Sequence, residues 1–109
     1  MSRAAEALKR SAPVFAALGD ATRLHVVSRL AKEGPLSISA LADGAEVSRQ
    51  AVKKHLDVLS SAGVVHDFFE GREHVWELRT RRLEEARRAL DYVSQQWDAA
   101  LERLRALVE

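Results

Sequence analysis

VSRQAVKKHLDVLSSAG, residues 47–63, is the stretch on which the fold turns. Ser48 is a good N-cap, because its hydroxyl oxygen can accept one of the first free backbone N–H groups, and Gly63 is a good stop, because glycine enters the left-handed conformation at little cost. The spacing predicts a helix from Ser48 to Ala62. On a helical wheel Ala51, Val52, His55, Val58, Leu59 and Ala62 gather on one side with Leu56 at its margin, while Arg49, Gln50, Lys53, Lys54 and Asp57 take the other. One side is expected to be buried and the other to be cationic.

Working back toward the N-terminus, Gly34-Pro35 is a turn, Leu36-Ser37-Ile38 is short enough only for a brief strand or extended link, and Ser39 is expected to cap a short helix carrying Leu41 and Ala42 that ends near Gly44. A short helix, a tight turn and a longer basic helix make a helix-turn-helix. Upstream, Asp20 is an N-cap for a helix with Leu24, Val27, Leu30 and Ala31 at a period near 3.6, closed by Gly34. Ala4 to Arg10 reads as a weaker amphipathic helix, and Ser11-Ala12-Pro13 predicts a break or a second start, since proline is tolerated in a first turn.

Toward the C-terminus, Val64 to Glu70 and Glu73 to Arg79 are rich in β-branched and aromatic residues on either side of Gly71-Arg72, which predicts a β-hairpin, or wing. Thr80 can cap a last helix in which Leu83, Ala86, Leu90, Val93, Trp97, Ala100, Leu104 and Leu107 alternate by three and four. The expected architecture is therefore mainly α with a small β-hairpin: a winged helix-turn-helix of about five helices.

A chain of 109 residues with 47% hydrophobic content supports one core, so residues 1–109 are read as a single domain with 80–109 as its dimerisation helix. The eight seam positions of that helix cannot all be buried against one thin domain, which makes pairing with a second copy the economical outcome. Packing of part of the seam in cis on the first helix is the alternative. The absence of cysteine excludes disulfides and thiolate metal ligands. Met1 to Leu8 lacks the apolar run of a signal peptide, and no stretch approaches the roughly 20 apolar residues of a membrane span, so a cytoplasmic protein without a membrane partner is expected. An enzyme is not expected: the serines lack a base partner, no glycine-rich phosphate loop occurs, and Glu84-Glu85 are adjacent on a helix and cannot face each other.

With a net charge of only +1, an argument for nucleic acid must be local. An α-helix fits the major groove of B-DNA, where Arg and Lys can donate to guanine and Gln can bond adenine bidentately, so Arg49, Gln50, Lys53 and Lys54 suit base reading. Ser48 and the start of its helix suit a phosphate.

These motifs resemble the ArsR/SmtB family of winged-helix repressors over nearly the whole chain. Residues Phe15 to Leu24 resemble its "ALxDPTRL" signature, with Ala21 where proline is common; Val47 to Leu56, then Leu59 and Ala62 to Val65, resemble its recognition-helix pattern; Gly71-Arg72 and Trp76-Glu77-Leu78 resemble its wing. The resemblance implies a repressor that binds a double-stranded DNA operator as a homodimer built through the first and last helices, here Leu8, Leu90, Val93, Trp97, Leu101 and Leu104. It also implies release by a small-molecule or protein effector of unknown identity, for which Tyr92 and Trp97 are one place to look.

Two departures matter. Metal-sensing members carry a cysteine pair before the recognition helix, or Asp, His and Glu along the last helix; here the short helix offers only Asp43 and the last helix only Asp91 and Glu102, so no metal and no cofactor are expected. Of the histidines, His55 is expected to be a hydrogen-bonded core residue, while His66 and His74 could approach Asp67 or Glu70, which keeps a non-standard His/carboxylate metal sensor as an alternative. The wing carries Asp67, Glu70, Glu73 and Glu77 against Arg72 and Arg79, so only Arg72 at the tip is expected to touch DNA. Its carboxylates are expected to point away or to pair with Arg23, Arg81 or Arg82. A winged-helix adaptor that binds protein rather than DNA is the remaining alternative.

Overall fold

In the computed structural model, which describes residues 2–108, helices α1 (Arg3–Leu18) and α2 (Ala21–Glu33) precede a short strand β1 (Leu36–Ser37) and a five-residue helix α3 (Ile38–Ala42). Helix α4 (Arg49–Ser61), the hairpin β2 (Val65–Glu70) and β3 (Glu73–Leu78), and a 29-residue helix α5 (Thr80–Val108) complete the chain. The architecture is the expected winged helix-turn-helix.

Local chemistry sets most boundaries. The Asp20 carboxylate accepts from the Arg23 N–H at 3.0 Å and Ser48 Oγ from the Ala51 N–H at 3.1 Å, which satisfies donors that have no partner inside α2 and α4. Gly34 closes α2 at φ 83°. The cap of α3 is Ser37 and not Ser39: Ser37 Oγ accepts from the Ala40 N–H at 3.1 Å, so Ile38 opens the helix and β1 ends one residue earlier than expected. Thr80 likewise stands inside α5, as its first residue.

The expected break at Ser11-Ala12-Pro13 does not occur, and α1 runs through Pro13. Proline removes a helix hydrogen bond. Here Ser11, Val14 and Ala17 are all buried along one side of α1, and keeping that face continuous outweighs the local penalty. Helix α2 also differs from its reading: Val26 and Leu30 are its buried residues, while Leu24 is 52% exposed.

The sheet has the order β1-β3-β2 and is antiparallel throughout, with Leu36 opposite Trp76 and six cross-strand pairs from Val65 and Leu78 to Glu70 and Glu73. At its foot the Arg79 N–H donates to the Val64 carbonyl at 2.8 Å.

The core lies where α4 crosses the other elements. Leu56 and Leu59 are fully buried with Val14, Val52 and Val64, and Trp76 of β3 and Ala86 of α5 close the cluster. Leu56 is thus the centre of the buried side of α4, whereas Val58, expected there, is 42% exposed. The wheel was rotated by about one position, as the tilt of a helical side chain toward the N-terminus makes natural. Each fully buried leucine contributes about 1.5–3 kcal/mol.

Candidate nucleic-acid interface

With its back held by Val52, Leu56 and Leu59, α4 turns Arg49, Gln50, Lys53 and Lys54 outward, all exposed, and Ser48 stands exposed at their head. Positions 49, 50, 53 and 54 follow the i, i+1, i+4, i+5 pattern that shares one face of a helix. Asp57 belongs to the same face: Lys53 Nζ reaches its carboxylate at 2.5 Å. Both side chains are exposed, and such a surface pair contributes little and can be exchanged for another partner. Arg72 stands exposed at the hairpin tip.

Two arginines whose roles the sequence did not disclose hold the helix-turn-helix in place, one at α3 and one at α4. Arg29 of α2 bonds Glu33 at 2.8 Å and donates across the turn to the Ala40 carbonyl at 2.8 Å, clasping the end of α3. The Glu33 carboxyl lies below its ordinary range, chiefly because of that Arg29 hydrogen bond. Its i, i+4 spacing from Arg29 was a visible signal, but the carbonyl clasp depends on tertiary placement. Arg23 donates from Nε to the Ala17 carbonyl at the end of α1 and lies 3.3 Å from His55 Nδ1 on α4. Since arginine can only donate, Nδ1 is the acceptor; His55 is hydrogen-bonded as expected, but half-buried at the edge of the core and not within it. Asp20, 3.9 Å from the same nitrogen, is held below the ordinary carboxylate range by the Arg23 N–H, with further help from the charge of Arg23.

The wing's charges follow expectation at His74 and Asp67 and depart from it elsewhere. His66 Nε2 bonds Glu77 at 2.9 Å, directly across the strands, and His74 Nε2 bonds Asp67 at 2.6 Å while its ring stacks on Phe69. The wing carboxylates Asp67 and Glu77 are therefore paired within the hairpin, and not with arginines. Arg23 is engaged by Ala17 and His55; Arg81 lies 3.6 Å from Glu85, and Arg82 donates to the Arg10 carbonyl. The His74 hydrogen bond lowers the Asp67 carboxyl, and the charge of Lys53 on α4 assists. Among the described residues no three His, Asp or Glu side chains gather as a metal-binding group.

The seam residues divide along α5. Ala86 and Ala89 are buried against α1, whereas Leu90, Trp97, Leu101 and Leu104 are exposed, Trp97 to 66%. Leu8 on α1 and Val93 on α5 are half-buried. Among the described residues no helix is long and apolar enough to cross a membrane.

A helix-turn-helix with a cationic second helix, followed by a hairpin, defines the chain as a winged helix-turn-helix protein of the transcription-regulator class. Residues 18–67 match a family described as a helix-turn-helix domain. The chain is 44% identical over 75 residues to the HTH-type transcriptional regulator Rv2034 of Mycobacterium tuberculosis, a match covering 69% of each. An ArsR-like transcriptional regulator from Rhodococcus sp. RHA1 superposes with a TM-score of 0.74 at 35% identity, over 93% of this chain and 94% of that one. The homodimeric winged helix-turn-helix DNA-binding domain of Mb0332 from Mycobacterium bovis gives a TM-score of 0.63 at 26% identity, over 94% and 92%. The chain belongs to the ArsR family of transcriptional regulators. Family and fold are those of DNA-binding regulators and not of enzymes.

Proposed function

We propose that the chain represses transcription by occupying a promoter, binding a double-stranded DNA operator as a homodimer. The observation that carries this reading is the exposed row Arg49, Gln50, Lys53 and Lys54 on a helix whose other side is locked into the core. In the major groove Arg49 and Lys53 would donate to guanine and Gln50 would pair with adenine; Lys54 and Ser48 would hold phosphates. For Lys53 this means leaving Asp57, a cheap exchange at an exposed pair. Arg72 at the tip would supply the wing's one backbone contact, since the neighbouring Glu70 and Glu73 repel phosphates.

Dimerisation rests on the half of α5 that the chain itself leaves uncovered, with Leu90, Val93, Trp97, Leu101 and Leu104 facing a second copy and Leu8 of α1 at the edge. The Mb0332 domain is homodimeric, which supports pairing of two copies. The two recognition helices would then meet successive major grooves, about one helical turn apart.

A salt titration tests the reading on a duplex recovered from a random-sequence pool by the purified protein. Log affinity should fall linearly and steeply with log salt as counterions are released. A flat profile, or failure to enrich any duplex, would leave the chain as an adaptor for another protein.

A further inference from the structure

At the far end of α4 from the reading residues lies a cleft of about 730 Å³. It is walled by Ala62 and Gly63, which follow α4, by the end of β3 and by the start of α5. Gly63 and Leu78 supply apolar surface, and Arg79, Arg81 and Arg82 stand over it against the single carboxylate of Glu85. The size suits a small organic molecule.

The rim arginines are only loosely held by the protein, and Arg79 and Arg81 are open to solvent. Among the described residues the Arg79 guanidinium has no acceptor, Arg81 reaches Glu85 only at 3.6 Å, and Arg82 makes one long bond of 3.3 Å to the Arg10 carbonyl. The first turn of α5 contains no acid, and Arg79, Arg81 and Arg82 flank the end of a helix where positive charge is disfavoured. Gly63, at φ 78°, lies under the stem of Arg82: a Cβ there would come within 3.1 Å of Arg82 Cγ. The cleft is thus a cationic rim above an apolar floor.

We propose that this cleft binds a small organic anion, a phosphate or carboxylate group carried on an apolar body. The anion sits between Arg79 and Arg81 with its body on Leu78 and Gly63. A DNA phosphate is the less favoured occupant, because thirteen helical residues place the cleft about 20 Å from Arg49. The ligand touches three places together: the turn that follows α4, the foot of the wing and the start of α5. Occupancy therefore shifts how α4 is presented, a consequence that rests on the DNA-binding reading, whereas the binding itself does not.

The test uses amide NMR on the full chain with phenyl phosphate, benzoate and benzyl alcohol as probes. The expected result is saturable movement of the Gly63 and Arg79 to Arg82 resonances with one or both anions, the stronger naming the head group. Benzyl alcohol should be weaker by about tenfold, as should the anion on the variant Arg79→Gln/Arg81→Gln, the loss implied by one charged hydrogen bond. Both arginines are exposed, so the variant keeps its fold, and without a probe it should bind the operator as the parent does. Equal response to benzyl alcohol, shifts centred on Ser48 to Lys53, or undiminished anion binding by the variant would overturn the proposal. So would a variant that loses operator affinity with no anion site in the parent, which would assign the arginines to the DNA backbone. A chain that binds the anion but no duplex would keep the cleft and refute the repressor reading.

Discussion

The two halves of α5 carry the same seam spacing and meet different fates. Near its start Ala86 on the seam and Ala89 beside it are small, lie 4% and 2% exposed, and let α1 come close; from Leu90 onward Leu90, Trp97, Leu101 and Leu104 are large and face solvent. Small residues suit close packing in cis, whereas large exposed ones make an apolar patch of the kind that marks an interface. The difference teaches that one continuous pattern is covered by the chain's own first helix only at its start, which leaves the rest for the second copy proposed above.

Substituting within each half breaks that comparison in different ways. The largest effect is expected from Ala89→Glu, which puts a charge into the α1–α5 contact and should cost about 3 kcal/mol or more of folding stability, read from urea unfolding. If it unfolds no more easily than the parent, the cis packing is wrong. Trp97→Ala should leave the fold intact and instead weaken self-association by about 2 kcal/mol or more, seen by sedimentation as monomer at concentrations where the parent is dimeric. A monomeric parent would refute the assignment of the second half.

Away from α5, Lys53→Ala or Gln50→Ala should cost about 1–3 kcal/mol of operator affinity if the residue meets a base edge, with the dimer unchanged. Unchanged operator binding would move the reading surface elsewhere. The smallest effect concerns acid. Asp20, Glu33 and Asp67 are all held below their ordinary values in the folded chain, so each adds stability that is present above the ordinary carboxylate range and is lost as pH falls through its lowered value. Asp67→Asn should therefore lower neutral stability slightly and leave stability below the lowered value nearly unchanged, which flattens the acid limb; an identical acid limb would mean that the His74 contact does not hold in solution.

The order of elements was legible because caps, glycine stops and β-rich runs are local chemistry: Asp20, Ser48, Gly34 and Gly63 act where their residue types say they should. The misreadings arose where tertiary structure overrules local preference. Pro13 is carried inside α1 by burial of its neighbours, and the buried face of α4 centres on Leu56 because the side chains lean along the helix. Within the candidate interface, the row on α4 was readable from its spacing, and the wing's charges only in part. The approach of His74 to Asp67 was among those expected, whereas the pairing of His66 with Glu77 depends on hairpin register. The clasp of Arg29 on the Ala40 carbonyl joins elements across a turn and leaves no trace in the periodicity of either helix.

The most direct measurement is a hydroxyl-radical footprint of the intact protein on its selected duplex. Two protected patches related by a dyad, centred about one helical turn or a multiple apart, are predicted, and both should fade together in Lys53→Ala. One isolated patch, or protection untouched by that substitution, would contradict a paired presentation of the α4 row.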